Sequence, residues 1–582
     1  MRLNSKSFIF PLNYSSQLCD LEEGSNPVNI KALALCTLLP LYIFSFAVQA
    51  ALPKFVTESG RHALMVDGKP YLILGAQANN SSNYTAALKE VWPVVKQVHA
   101  NTLEINVAWE QVEPEEDKFD FSYIDELIKQ ARDNDVRVVL LWFATWKNNA
   151  PHYAPDWVKL DDARFPRVHK KDGSTLNSLS PIHQSTLNAD KKAFVEMMKH
   201  LKKVDKKQTV ILVQVQNEVG TYGEVRDFSP AAEKLFKATI PDQLQQSMNL
   251  PAKSWAESFA ADADEYFHAY HIARFCNEMA AAGKAVYNLP MNVNVALRNP
   301  FNPGKPGQYS SGGPTDNVLD LWKAAAPSID MISPDIYFRD YRTVTRVLDL
   351  YARDDNPLFV AEIGNDQPFA RYVFETLGHQ GIGFAPFGLD KTGYTNYPLG
   401  AKNYDDATFE PFAEVYGLIA PWAHVWAKMS FENETWGVAE PRDTFGESKQ
   451  IWNAAASEKE KEQESKTYTQ VLDLGRWNAE VTYGRPMFWV APPEGNDIAK
   501  GGALIAKLDE NEFFVTALHS RVTFVPSDEI KDERTMTVRV EEGHFDKKGN
   551  WVFERVWNGD QTDWGLNFDG KYHLLKVKMA TY

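Results

Sequence analysis

Cysteine is scarce, with three residues in a chain of 582. Cys19 and Cys36 precede a signal-like cleavage point after Ala50, so the expected mature chain keeps Cys276 alone and forms no internal disulfide. Stability then has to come from core burial, which a chain this long can supply. Cationic charge is also short. Lys and Arg number 61 against 77 Asp and Glu, a formal net charge of −16, which argues against nucleic acid or an anionic membrane surface as a partner. The 13 His show no metal-ligand spacing. His268 and His271, at i and i+3 on a predicted helix, read as structural, and neither a metal nor a cofactor is expected. No glycine-rich phosphate loop follows the first predicted strand, which weakens the alternative of a doubly wound open sheet. Internal repeats are absent as well.

Long apolar runs are missing with one exception, Ala32–Val48 (ALALCTLLPLYIFSFAV). It follows Lys31, is broken by Thr37, Pro40 and Ser45, and leads into small residues ending at Ala50, the pattern of a secretory signal. An uncleaved anchor is the alternative. The acidic Asp20, Glu22 and Glu23 do not suit the basic start of such a leader, and a translation start at Val28 accounts for them. Cys36 fits a lipoprotein site poorly, because Leu35 is bulky and the apolar run continues. Residues 1–50 are therefore read as a leader with an extension, and the protein as exported, periplasmic or secreted, with no stable membrane insertion after cleavage.

What is present is aromatic surface and a regular alternation. The 16 Trp and 23 Tyr are a generous supply of flat rings of the kind that stack on sugars. From residue 51 to about 430, short apolar runs alternate with amphipathic ones. Eight strands are predicted at Tyr71–Gly75, Thr102–Val107, Arg137–Trp142, Val210–Gln216, Met291–Val295, Met331–Ile336, Leu358–Ala361 and Gly383–Phe387. Strictly alternating, near-continuously apolar strands imply a parallel sheet covered on both faces, and eight units point to a (β/α)₈ TIM barrel. The long connection from Gly220 to Pro290 predicts additional helices. Residues 431–582 carry a charged run, Ser457–Lys466, and then short alternating segments such as FFVTALHSRVTFVP, predicting a smaller β-rich, sandwich-like domain.

In such a barrel the chemistry projects from the C-terminal strand ends. The second strand delivers Asn106, Trp109 and Glu110; the fourth, Asn217 and Glu218; the sixth, Asp335 and Tyr337; the seventh, Glu362. Carboxylates on strands four and seven lie across the barrel mouth, where a proton donor and a nucleophile about 5 Å apart cleave a glycosidic bond with retention. Asp335 reads as a capping or supporting group. Glu110 and Glu113 precede Pro114 and read as turn, and Glu224 as loop surface.

Residues 101–143 (NTLEINVAWEQVEPEEDKFDFSYIDELIKQARDNDVRVVLLWF) resemble the second and third units of glycoside hydrolase family 35, the β-galactosidases. VILVQVQNEVGTYG is similar to that family's acid/base strand, and LFVAEIG to its nucleophile strand. The resemblance spans about residues 60–430, and family 42 shares much of the second-strand block. It implies Glu218 as general acid/base, Glu362 as nucleophile, Asn217 on the sugar 2-hydroxyl, and Tyr337 hydrogen-bonded to the nucleophile. The family's Asn-Ala-Glu-Trp is here Phe143-Ala144-Thr145-Trp146, so sugar recognition shifts toward Lys147 or Asn148, with Trp109, Trp142 and Trp146 as stacking faces.

The expectation is an exported retaining exo-β-glycosidase, a β-galactosidase releasing terminal galactose from plant-derived oligosaccharides. The alternatives are a β-glycosidase acting on arabinosides, glucosides or mannosides, and a carbohydrate-binding barrel without catalysis. The natural polymer, the linkage and the oligomeric state stay open.

Overall fold

The computed structural model describes residues 51–443, 469–483 and 498–582. The expected leader and the charged run Ser457–Lys466 lie outside the described residues. Eight parallel strands close into a barrel: β1 (Ile73–Gln77), β2 (Thr102–Ala108), β3 (Arg137–Lys147), β4 (Val210–Asn217), β5 (Met291–Ala296), β6 (Met331–Ile336), β7 (Phe359–Ile363) and β8 (Gly383–Pro386). A helix follows each: α1 (Leu88–Gln97), α2 (Ser122–Asp133), α3 (Gln184–Val204), α4 (Ala263–Val286), α5 (Leu319–Ala325), α6 (Tyr341–Tyr351), α7 (Tyr372–Gly378) and α8 (Asp406–Ile419). The TIM-barrel expectation holds.

Helix α6 illustrates why these segments fold as they do. Asp340 caps it by accepting from the Thr343 amide, and Val344, Val347, Leu348 and Tyr351 then fall at i, i+3, i+4 and i+7 on its buried face. Each such side chain contributes about 1.5–3 kcal/mol when fully buried. The strands are buried on both sides, which explains runs such as VILVQVQN.

The barrel interior changes chemistry along its axis. At its N-terminal end Ile73, Val139, Leu141, Leu212, Met331 and Phe359 form an apolar plug, completed by Leu64 and Val66. Those two come from a three-stranded antiparallel sheet, Lys54–Glu58, Arg61–Val66 and Lys69–Tyr71, that the sequence reading missed. Higher up, Glu104, Gln214, Asn292, Asn294, Ser333 and Asp335 are buried polar groups beneath the C-terminal mouth.

The long β4–α4 connection carries the expected extra helices, Pro230–Phe236, Asp242–Ser247 and Trp255–Phe259. After the barrel come β9 (Thr435–Ala439), β10 (Thr469–Asp473), β11 (Trp477–Tyr483), β12 (Gly502–Asp509), β13 (Glu512–Leu518), β14 (Ser520–Pro526), β15 (Thr535–Phe545), β16 (Trp551–Trp557), β17 (Leu566–Phe568) and β18 (Leu575–Thr581). They form a six-stranded sheet, β9-β12-β13-β18-β15-β16, and a four-stranded sheet, β10-β11-β14-β17, around Trp477, Val481, Ile505, Phe513 and Val577. This β-rich region braces the barrel through α7. Arg371 donates to the Glu440 carbonyl at 2.9 Å, and Glu375 accepts from the Ala439 amide at 2.9 Å. A Cβ on Gly378 would stand 2.0 Å from the Gly437 carbonyl oxygen, so the two backbones meet only because neither residue has a side chain. No helix among the described residues is long and apolar enough to cross a membrane.

Candidate active site

The end of β4 does not continue as regular strand. Gln216 (φ 66°) and Glu218 (φ 46°) both adopt the left-handed conformation, which costs about 1 kcal/mol or more for a residue with a side chain. Two buried amides hold this turn. Asn294 on β5 accepts from the Glu218 backbone N–H at 2.9 Å, and Asn149 donates to the Glu218 carbonyl at 2.9 Å. Gly220 follows at φ 136°, where a Cβ would lie 2.1 Å from Ser310 Oγ. The backbone is thus bent to present one carboxyl group.

Across the mouth, β7 shows a register irregularity between Val360 and Ile363 that presents Glu362. Tyr337 donates to Glu362 Oε1, and Gln77 Nε2 donates to Oε2 at 3.1 Å. Two donors, Tyr337 just after the adjacent β6 and Gln77 from β1 on the far side of β8, therefore fix the orientation of this carboxyl group. Glu218 and Glu362 line one cavity of about 500 Å³, together with Lys147, Asn148, Asp335 and Tyr337. That volume is ordinary for a small-ligand site.

The electrostatics are dominated by acid. Burial raises Glu218 above the ordinary carboxyl range; Lys147, with Nζ 3.5 Å from Glu218 Oε2, opposes that, and the neighbouring Glu362 adds to it. Asp335 is raised strongly, first by burial and then by Glu362 and Glu218. Beneath them Glu104 is fully buried, with neither carboxyl oxygen hydrogen-bonded, and its pKa is driven well up by burial and by Glu362. Burial and like charge of this kind favour the protonated form of a carboxyl group, the form a general acid requires.

The structure brings Glu218, Glu362, Tyr337, Lys147 and Asn148 onto one wall system. Asn217 lies fully buried beside it. Its Oδ1 accepts from Gln214 and Asn294, each at 3.1 Å, and its Nδ2 lies 3.5 Å from Glu218 Oε2. Four expectations require correction. Trp109, Trp142 and Trp146 are not stacking faces, because all three are fully buried in the layer between strands and helices. Their indole N–H groups are consumed there by Glu113 (2.9 Å), Asp190 (2.7 Å) and the Leu179 carbonyl (3.1 Å) respectively. Asn106 is buried and does not line the cavity.

Two residues of the site differ from their sequence reading. Asp335 is no loop cap; it faces the cavity and lies beside Glu362 in the β6–β7 register, with Oδ2 held by Asn294 at 2.7 Å. Gln77 fell outside the first predicted strand, which ran two residues short of the observed end. Its polar position at a strand terminus was the available signal. The remaining acids are structural. Glu113 is buried on Lys192 at 2.8 Å, Glu110 pairs with Lys159 at 2.8 Å, and Glu224 accepts from the Lys171 amide. His268 and His271 are buried, which lowers their pKa values to about 4 and about 3.

Residues 81–270 match the family model Glyco_hydro_42, described as Beta-galactosidase, and residues 412–569 match a model described as Domain of unknown function (DUF5597). The first match corrects the resemblance from family 35 to family 42. A curated relative, a β-galactosidase of Xanthomonas manihotis, is 26% identical over 240 residues, covering 36% of this chain and 37% of that protein. The chain thus spans little more than a third of that relative's length. Among solved structures, a β-galactosidase from Bacillus circulans sp. alkalophilus is 13% identical with a TM-score of 0.47, covering 62% of this chain and 57% of that one. A β-galactosidase from Halorubrum lacusprofundi is 14% identical with a TM-score of 0.43, covering 62% of each chain.

Proposed function

We propose that this chain is a retaining exo-β-glycosidase, a β-galactosidase in the first instance. The observation that carries the reading is that Glu218 and Glu362, from the ends of β4 and β7, line the same cavity in unlike surroundings. One is raised by burial beside a lysine, and the other is held between two hydrogen-bond donors. The match of residues 81–270 to a β-galactosidase model supports it and includes Glu218.

In this mechanism Glu362 attacks the anomeric carbon as Glu218 gives its proton to the departing glycosidic oxygen. The C–O bond to the leaving group breaks, and a glycosyl ester on Glu362 forms. That step consumes the charge of Glu362, so the repulsion on Glu218 falls and its carboxylate accepts a proton from the incoming water. Attack of that water on the anomeric carbon releases the sugar and restores both groups. Asn217, with its carbonyl oxygen already committed, offers N–H to the 2-hydroxyl. Lys147 and Asn148 stand at the sugar wall, while Thr145, which replaces the glutamate of the resembling motif, is spent on buried Asp190. Recognition of galactose therefore rests with Lys147 and Asn148 in this reading.

Hydrolysis of a panel of nitrophenyl β-glycosides by the wild type, Glu218→Ala and Glu362→Ala tests the proposal. Each variant loses several orders of magnitude in kcat, azide partly rescues both on an activated substrate but yields the β-glycosyl azide with Glu218→Ala and the α-glycosyl azide with Glu362→Ala, and NMR of the first-formed sugar from the wild type shows the β-anomer. Near-wild-type activity in either variant ends the assignment. The same panel separates galactoside from arabinoside, glucoside or mannoside preference. Sugar binding without turnover leaves the binding-barrel alternative. Export follows from residues 32–50 in this reading, and N-terminal sequencing of the mature protein is expected to begin at Ala51.

A further inference from the structure

The burial of Trp109, Trp142 and Trp146 leaves the question of which rings meet the substrate. The cavity answers it at its rim. Its floor is carboxyl groups that are almost fully enclosed, whereas its upper wall carries Tyr222, Phe338, Tyr394 and Leu399. Tyr222, Tyr394 and Leu399 are 44%, 56% and 51% exposed, and Tyr397 next to them is 63% exposed. Large apolar side chains grouped at one mouth and left in water are an uncovered binding surface rather than scattered exposure.

The loop carrying three of them is not loose. Arg339, from the β6 loop, donates through one guanidinium nitrogen to the carbonyls of Pro398, Leu399 and Gly400 at 3.1, 3.4 and 3.3 Å, while another of its nitrogens engages Asp366. Asn365 accepts from the Ala401 amide at 2.8 Å. At the other end Asp390 ties Thr392 to Asn79 and Ser82. A backbone pinned at both ends with its rings turned outward has met its ordering cost before a ligand arrives.

Position decides which part of the substrate this surface meets. Tyr222 sits four residues beyond Glu218 on the same loop. The proposed acid protonates the departing oxygen, so what stands outside it faces the leaving group. The cavity's ionisable wall is acidic, with Lys147 already paired to Glu218. This disfavours anionic sugars and leaves neutral ones.

We propose that Tyr222, Tyr394 and Leu399 form a subsite for the leaving-group sugar, so that the preferred substrate is a galactoside whose aglycone is a neutral oligosaccharide. The subsite rests on the glycosidase reading for its orientation, and its test is built to fail separately. The kcat/KM of the wild type, Tyr222→Ala and Tyr394→Ala is measured on β-galactosyl fluoride, whose leaving group is too small to reach the rim, and on a neutral galactosylated tetrasaccharide. Each alanine variant lowers the ratio of tetrasaccharide to fluoride about tenfold, and Tyr394→Phe, which keeps the ring, restores it. An unchanged ratio, or equal losses on both substrates, overturns the subsite. If the wild type turns over neither substrate, the glycosidase reading has failed, and calorimetric binding of the intact tetrasaccharide decides the subsite alone. Binding weakened about tenfold by either alanine supports it, and undiminished binding overturns it.

Discussion

Lys147 is the cation that the cavity wall sets against the proposed acid, and its removal gives a prediction with a worked size. Its Nζ lies 3.5 Å from Glu218 Oε2, and the two residues are only 5% and 8% exposed. Coulomb's law at that distance gives about 1.2 kcal/mol in water-like surroundings and about 5 kcal/mol at an effective dielectric of ~20. At about 1.36 kcal/mol per pH unit, that is roughly one to four units of protonation equilibrium. The sign is fixed: the ammonium favours the charged carboxyl, so losing it raises Glu218 further and keeps the acid protonated to higher pH. Lys147→Met retains the stem and removes the charge. The alkaline limb of kcat/KM against pH is expected to move up by at least one unit, whatever happens to KM from a lost sugar contact. Because Glu218, Asp335 and Glu362 interact, the limb is a property of the cluster rather than of one group. A limb that stays in place, or moves down, refutes the role of Lys147 and weakens that of Glu218 as the acid.

Three further outcomes follow from the same geometry. Tyr337→Phe removes one of the two donors to Glu362, and a charge-assisted bond of about 1.5–3 kcal/mol predicts a roughly 10- to 100-fold fall in kcat with a smaller change in KM. Glu104→Gln replaces a buried acid whose raised pKa makes the folded state bind a proton that the unfolded state releases above pH ~4.5. Wild-type stability is therefore expected to fall with rising pH by up to about 1.4 kcal/mol per unit at this site. The variant's advantage over wild type should grow by about 1 °C in Tm for each pH unit above 5 in a chain this long, and parallel melting curves would count against it. Trp146→Ala opens the wall between β3 and α4, so it should cost about 3–5 kcal/mol of stability; a selective rise in KM for sugar with unchanged melting would contradict its burial.

The barrel was legible because a parallel strand covered on both faces writes itself as an unbroken apolar run, and β6 was located to the residue at Met331–Ile336. Strand ends were less so, since a polar residue after such a run marks either the last rung or the first loop residue. Gln77 and Lys147 are both last rungs, on strands that continue beyond the apolar pattern. The three tryptophans were misplaced for a related reason. Two of them, Trp142 and Trp146, lie on β3, which runs five residues farther than its predicted end, so they remain in the wall and face the helices. Asp335 was placed at its strand end, but the burial and raised pKa of the acids were not legible. Nothing in LEIN or SPDI distinguishes Glu104 and Asp335 from solvated carboxyls, because what raises their pKa values is first burial and then the proximity of Glu362 and, for Asp335, of Glu218, all of it produced by closure of the barrel. The rim tyrosines follow the same rule. The loop that carries Tyr394 and Tyr397 is held through Arg339 and Asp390, contacts that join different βα units and leave no local pattern. Sequence order thus shows where a barrel can place a carboxyl group, while its protonation and the surface around it are properties of closure.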